Sequence, residues 1–192
     1  SRKPAYDLIV QALGGIMSLT GYENQDPVRV GTSIGDITAG LFTTIGIQSA
    51  LIRRNITKKG SYIDISMLDC QIAILENAVS RYFCEKKIPK KIGSRHPSIA
   101  PFECFKCKDA YIAIAAGNDS LFEKLCHATS SESLLESKYF KTNDMRLKNA
   151  EKLKKYLEKV FNKKKASYWV FQLDLFGVPV SKLNNIKEPE KK

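Results

Sequence analysis

The segment from Ile37 to Arg54 sets the strongest limit on how this chain can fold. Its apolar residues recur at helical spacing but fall on most faces of the helix, so the helix is expected to be buried. Its most apolar stretch, Leu41 to Ile52, is interrupted by Thr43, Thr44, Gly46, Gln48 and Ser49. That is too short and too polar for the roughly 18 apolar residues of a membrane span, so no membrane role is expected. Other parts of the protein must therefore wrap around this helix. The chain has 192 residues, room for one ordinary domain or two small ones.

The remaining periodicities supply the wrapping. Leu8, Ile9, Ala12, Leu13, Ile16 and Met17 line one face of an N-terminal helix. Tyr62 to Ser66 alternates and reads as a short strand, and Met67 to Tyr82 as a third helix. A basic stretch from Cys84 to His96 marks an internal boundary. Beyond it the pattern predicts a hairpin over 102–116 and helices over 121–129, 146–164 and 167–176. Gly177 stands just past the last helix and Pro179 soon after, as helix ends favour. The expected organisation is a helical segment over 1–88, a small α+β domain over 89–180, and a linker over 181–192.

The formal charge of +11 is uneven. Residues 138–192 carry 15 basic and 6 acidic side chains, and lysine dominates. Such a surface attracts polyanions. However, like-charge runs mostly solvate helix faces, and specific phosphate recognition favours arginine. Nucleic acid is not expected as a partner. Cysteines stand at 70, 84, 104, 107 and 126, an odd count without a disulfide framework. With no apolar leader at the start, a reducing, cytoplasmic setting is expected. Cys104 and Cys107 form a C-x-x-C beside Cys126-His127, but they fall on the expected hairpin. They read as strand-embedded thiols, with no metal site.

Asp36 is the main candidate for chemistry. It follows Gly35 and opens the apolar helix, where free N–H groups and the helix dipole favour an anion. Small neighbours (Gly31, Ser33, Gly35, Ala39 and Gly40) leave room for a ligand to approach. A plain N-cap is the alternative reading of the same aspartate.

Several ordered blocks resemble the class III CoA-transferases, the family that includes formyl-CoA and carnitine CoA-transferases. They are the run from Pro4 to Gly21, Pro27-Val-Arg-Val-Gly-Thr-Ser-Ile-Gly-Asp-Ile-Thr-Ala-Gly-Leu, and Gly60-Ser-Tyr-Ile-Asp-Ile-Ser-Met-Leu-Asp. The likeness continues through His96-Pro-Ser-Ile-Ala-Pro-Phe-Glu, Ala115-Ala-Gly-Asn-Asp and Gly177-Val-Pro, covering about residues 4–185. The resemblance implies an α/β fold in which a helical, nucleophile-bearing segment precedes a small α+β domain. It implies that Asp36 is the nucleophile and passes through aspartyl anhydride and thioester intermediates. It brings Tyr6 and Asp7 to the CoA and active-site end, and Arg95 and His96 to the substrate-facing side. Related racemases carry histidine at the Tyr6 position. A phenol is a poor base near neutral pH, so Tyr6 favours transfer over racemisation. Coenzyme A is implied as a substrate, with no further cofactor, and the family implies a homodimer.

Family members are considerably longer, and the Rossmann-like half that holds the CoA nucleotide is expected to be missing here. No G-x-G-x-x-G fingerprint is present. The leading reading is therefore a CoA-transferase portion whose activity needs a partner chain for the missing half. An inactive remnant, a relative of the acyl-CoA racemases and a basic polyanion-binding module are the alternatives.

Overall fold

The computed structural model describes residues 5–188. The ends of the expected 1–88 and 181–192 segments, residues 1–4 and 189–192, lie outside the described residues. The chain divides between Gly93 and Ser94 into two compact units. The expected boundary at 88 falls short because residues 90–93 are tied back into the first unit. Gly93 donates its N–H to the Gly21 carbonyl, Lys90 pairs with Glu23 at 2.9 Å, and Lys91 reaches the Gln25 and Asp26 carbonyls. Gly93 has a φ of 67°, and any side chain there would strike the Tyr22 ring.

The first unit is helical: α1 (Asp7–Leu13), α2 (Ile16–Leu19), α3 (Ile34–Thr57), α4 (Met67–Ala73) and α5 (Glu76–Glu85). Gly15, at φ 86°, separates α1 from α2, so the single N-terminal helix read from periodicity is two. The helix expected over 67–82 likewise breaks after Ala73, where Glu76 takes a φ of 43°. Its start is capped by Ser66, whose Oγ accepts the Asp69 N–H at 3.2 Å. Tyr62–Ser66 forms no strand and joins no sheet. Ile63 and Ile65 instead lie against α3 at Gly46, where an added Cβ would come within 3.3 Å of Ile63.

The burial expected of α3 is not met within the described residues. Ile37, Leu41, Ile45, Ile52 and Ile56 are all exposed. The physical reason is a shortage of covering surface. Among the described residues α1 and α4 are its main packing partners, Ile63 and Ile65 lie against it at Gly46, and Gly35 and Thr38 are its buried residues.

The second unit holds an antiparallel sheet, β1 (Phe102–Lys106), β2 (Tyr111–Ala115) and β3 (Val180–Lys182), in that order. Ser181 and Lys182 therefore belong to the sheet, not to a linker. Phe105 and Ile112 face each other on the inner side, as strand alternation requires. Helices α6 (Asp119–Ala128), α7 (Asn143–Lys148), α8 (Ala150–Phe161) and α9 (Ala166–Leu175) complete the unit, with a 3-10 turn at Glu132–Leu134. Phe122, Leu125, Leu153, Leu157, Phe161, Trp169 and Leu173 close one continuous core against the inner strand residues. The end of α9 follows the expected chemistry. Gly177, at φ 70°, donates to the Asp174 carbonyl, and Val178 donates to that of Leu173.

Candidate active site

Tyr6 is still extended (φ −119°, ψ 156°), so α1 starts at Asp7. Tyr6 is 74% exposed, with its ring in solvent and its carbonyl accepting the Val10 N–H. Asp7 points the other way and is 8% exposed. Its Oδ1 accepts the Gly35 N–H at 2.9 Å, and its Oδ2 accepts from Gln11 Nε2 at 2.8 Å. Arg29 Nη1 stands 3.6 Å from Oδ2. Both oxygens thus have partners within the protein, and Asp7 braces the start of α3.

The N-cap of α3 is Ser33, which makes no side-chain capping bond. Helix starts leave N–H groups without intrahelical partners, and here the Asp7 carboxylate takes the one on Gly35. Asp36 follows, in the first turn, so it is not the N-cap. Its carboxylate is exposed and has no hydrogen bond or ion pair among the described residues. The arrangement leaves the Asp7 carboxylate buried against the helix start and that of Asp36 exposed.

Arg95 and His96 belong to the second unit. Arg95 Nη1 pairs with Glu151 Oε1 at 3.0 Å. His96 Nδ1 accepts the Ser98 N–H at 3.1 Å, and its ring lies 5.2 Å from that of Phe102. The structure thus brings Tyr6, Asp7 and Asp36 into one unit and holds Arg95 and His96 in local contacts of the other.

Sequence reading missed Gln11 and Arg29. Gln11 is fully buried, and its Oε1 accepts the Val30 N–H at 2.8 Å. The available signal was the i,i+4 spacing of Asp7 and Gln11 on one helix face.

The family model described as CoA-transferase family III matches residues 1–191. The chain belongs to CoA-transferase family III. This family III chain is 42% identical to an acetyl-CoA:oxalate CoA-transferase of Acetobacter aceti, across 96% of its own length and 48% of that protein. It is 36% identical to the human succinyl-CoA:glutarate CoA-transferase, across 97% of its length and 43% of that protein. A crystal structure of a CAIB/BAIF family protein from Brucella suis superposes with a TM-score of 0.84 at 36% identity, covering 97% of this chain and 49% of that one. The chain thus spans about half the length of the relatives it matches, and its fold corresponds to part of theirs.

Proposed function

We propose that the protein moves CoA from an acyl-CoA to a carboxylic acid, with Asp36 as the covalent nucleophile. The observation that carries this is the exposed carboxylate of Asp36 at the start of α3, without a partner among the described residues, in a family III chain. The Asp36 carboxylate attacks the thioester carbonyl, the C–S bond breaks, and CoA thiolate leaves behind an aspartyl–acyl anhydride. The thiolate attacks the aspartyl carbonyl and expels the donor carboxylate, leaving an aspartyl–CoA thioester. The acceptor carboxylate then displaces CoA thiolate to form a second anhydride. Attack of the thiolate on the acceptor acyl carbon completes transfer and restores Asp36. Every intermediate is open to hydrolysis, so the reaction needs a cover that excludes water.

The exposed apolar side of α3 favours further polypeptide as that cover, from a second copy or another chain. The names of the relatives point to a short dicarboxylic acid as acceptor. Coenzyme A serves as substrate, and no separate cofactor takes part in these steps. The five free cysteines suit a reducing compartment, the cytoplasm.

The test uses the protein at its full expressed length with acetyl-CoA or succinyl-CoA and a panel of dicarboxylates. Hydroxylamine added during turnover is expected to mark Asp36, and Asp36→Ala is expected to abolish exchange. Exchange that persists in Asp36→Ala overturns the assignment.

A further inference from the structure

We infer that Gln11 is a positioning residue for Asp36, acting through Asp7; the inference rests on the proposed role of Asp36. Gly35, next to Asp36, carries an N–H at the start of α3 that needs an acceptor. Asp7 Oδ1 supplies it from α1 at 2.9 Å. The other oxygen of that buried carboxylate needs a donor, and Gln11 Nε2 supplies it at 2.8 Å, one helical turn along. Gln11 is in turn fixed at its far end. Its Oε1 accepts the Val30 N–H at 2.8 Å, and an amide offers donors on one side only, so its NH2 must face Asp7. Nε2 also reaches the Thr32 carbonyl at 3.4 Å.

Three elements therefore meet in one relay: the 28–33 loop, α1 and α3. Val30 donates to Gln11, Gln11 donates to Asp7, and Asp7 accepts from Gly35. The approach is close, because a Cβ on Gly35 would lie 3.2 Å from Asp7 Oδ1 and 3.5 Å from Val10 Cγ1. Gly35 and Asp36 are adjacent on one rigid turn, so a shift at the first moves the second. Gln11 makes no hydrogen bond to Asp36 among the described residues, and its effect passes through Asp7 and the helix start.

The relay has a direction, and that makes it testable. Gln11→Glu removes the donor and sets a second carboxylate against Asp7. Gln11→Met removes the donor without adding charge. Asp7→Asn combined with Gln11→Glu reverses the middle bond. In that double variant the amide nitrogen at position 7 donates to the new carboxylate. The amide oxygen at position 7 still accepts from Gly35, and Val30 keeps its acceptor.

In the full-length protein, both single variants at Gln11 are expected to lower kcat about tenfold to a hundredfold, a misplacement effect. KM for acyl-CoA should stay within about twofold. The reversed pair is expected to recover most of the loss. Exchange of the Gly35 amide with solvent, read by NMR on the present chain, should speed up in Gln11→Met and slow again in the reversed pair. Wild-type kcat in both single variants, a change confined to KM, or no recovery in the reversed pair overturns the inference. Asp36→Ala is assayed alongside. If it retains exchange, the reading of Asp36 itself fails. If it is dead while the Gln11 variants keep full kcat, only the role of Gln11 fails.

Discussion

Cys107 and Cys126 lie inside the second unit, shut off from solvent. Burial, then the charge of Asp109, pushes the Cys107 thiol from its ordinary 9.0 up to about 11. Burial, then Glu132, pushes Cys126 to about 12. In the unfolded chain both thiols ionise near 9, so above that pH the folded state holds protons that the unfolded state has lost. Their contribution to stability is complete below about pH 9 and is lost as pH rises through 11 to 12. The melting temperature is expected to fall across this range, and Cys126→Ala should flatten the fall; an equal slope in the variant refutes it. At the same scale, the place of Asp36 at the start of α3 was legible, because it opens an apolar helical run. Arg146 was not. It is 1% exposed, holds the Ala100 and Phe140 carbonyls and Asp119, and lies over the Phe122 ring at 4.4 Å. Nothing local in the sequence marks one arginine among many basic residues as buried. Its partners come from separate stretches of chain.

Helices were legible where their ends carry chemistry and illegible where they do not. The close of α9 at Gly177 follows from the residue type, whereas Ile74, Leu75 and Glu76 are all ordinary helix residues and gave no sign of the break between α4 and α5. The end of α3 is a related case. Lys58 takes the left-handed conformation (φ 58°) and donates its N–H to the Arg54 carbonyl at 2.8 Å, the geometry glycine occupies with least strain. Lys58→Gly is expected to stabilise the protein by about 1 kcal/mol, because an L-residue pays that much to sit there. A thermal or urea melt reads the gain, and a loss of stability shows that the lysine side chain matters more than its backbone. The strand predicted over 62–66 failed for another reason. Alternation reports one buried side, and here that side is Ile63 and Ile65 against α3 rather than a sheet.

The two units differ most in how they hold themselves together. The continuous apolar core, from Phe105 to Val178, lies wholly within the second unit. In the first, Val10 and Cys70 are the buried hydrophobic residues among those described, and the rest of its interior is polar: Asp7, Gln11, Thr38 and Gln71. The Gln71 amide is buried with neither end hydrogen-bonded among the described residues, which costs roughly 1–3 kcal/mol. An apolar helix that sequence alone places in an interior is left open along α3. Burial of apolar surface is the main force that opposes chain entropy, so the two units should not be equally stable. A polypeptide of residues 94–188 is expected to fold alone with one cooperative melt and dispersed amide resonances. A polypeptide of residues 5–93 should show helical circular dichroism without a sharp transition. In the intact chain, hydrogen exchange should be fast through α1 to α5 and slow in β1, β2, α6 and α8. Equal protection in the two units would mean that the Asp7–Gln11 relay and the α3 contacts stabilise the first unit as firmly as an apolar core does. Faster exchange in the first unit would instead leave α3, with the proposed nucleophile at its start, dependent on whatever polypeptide covers it.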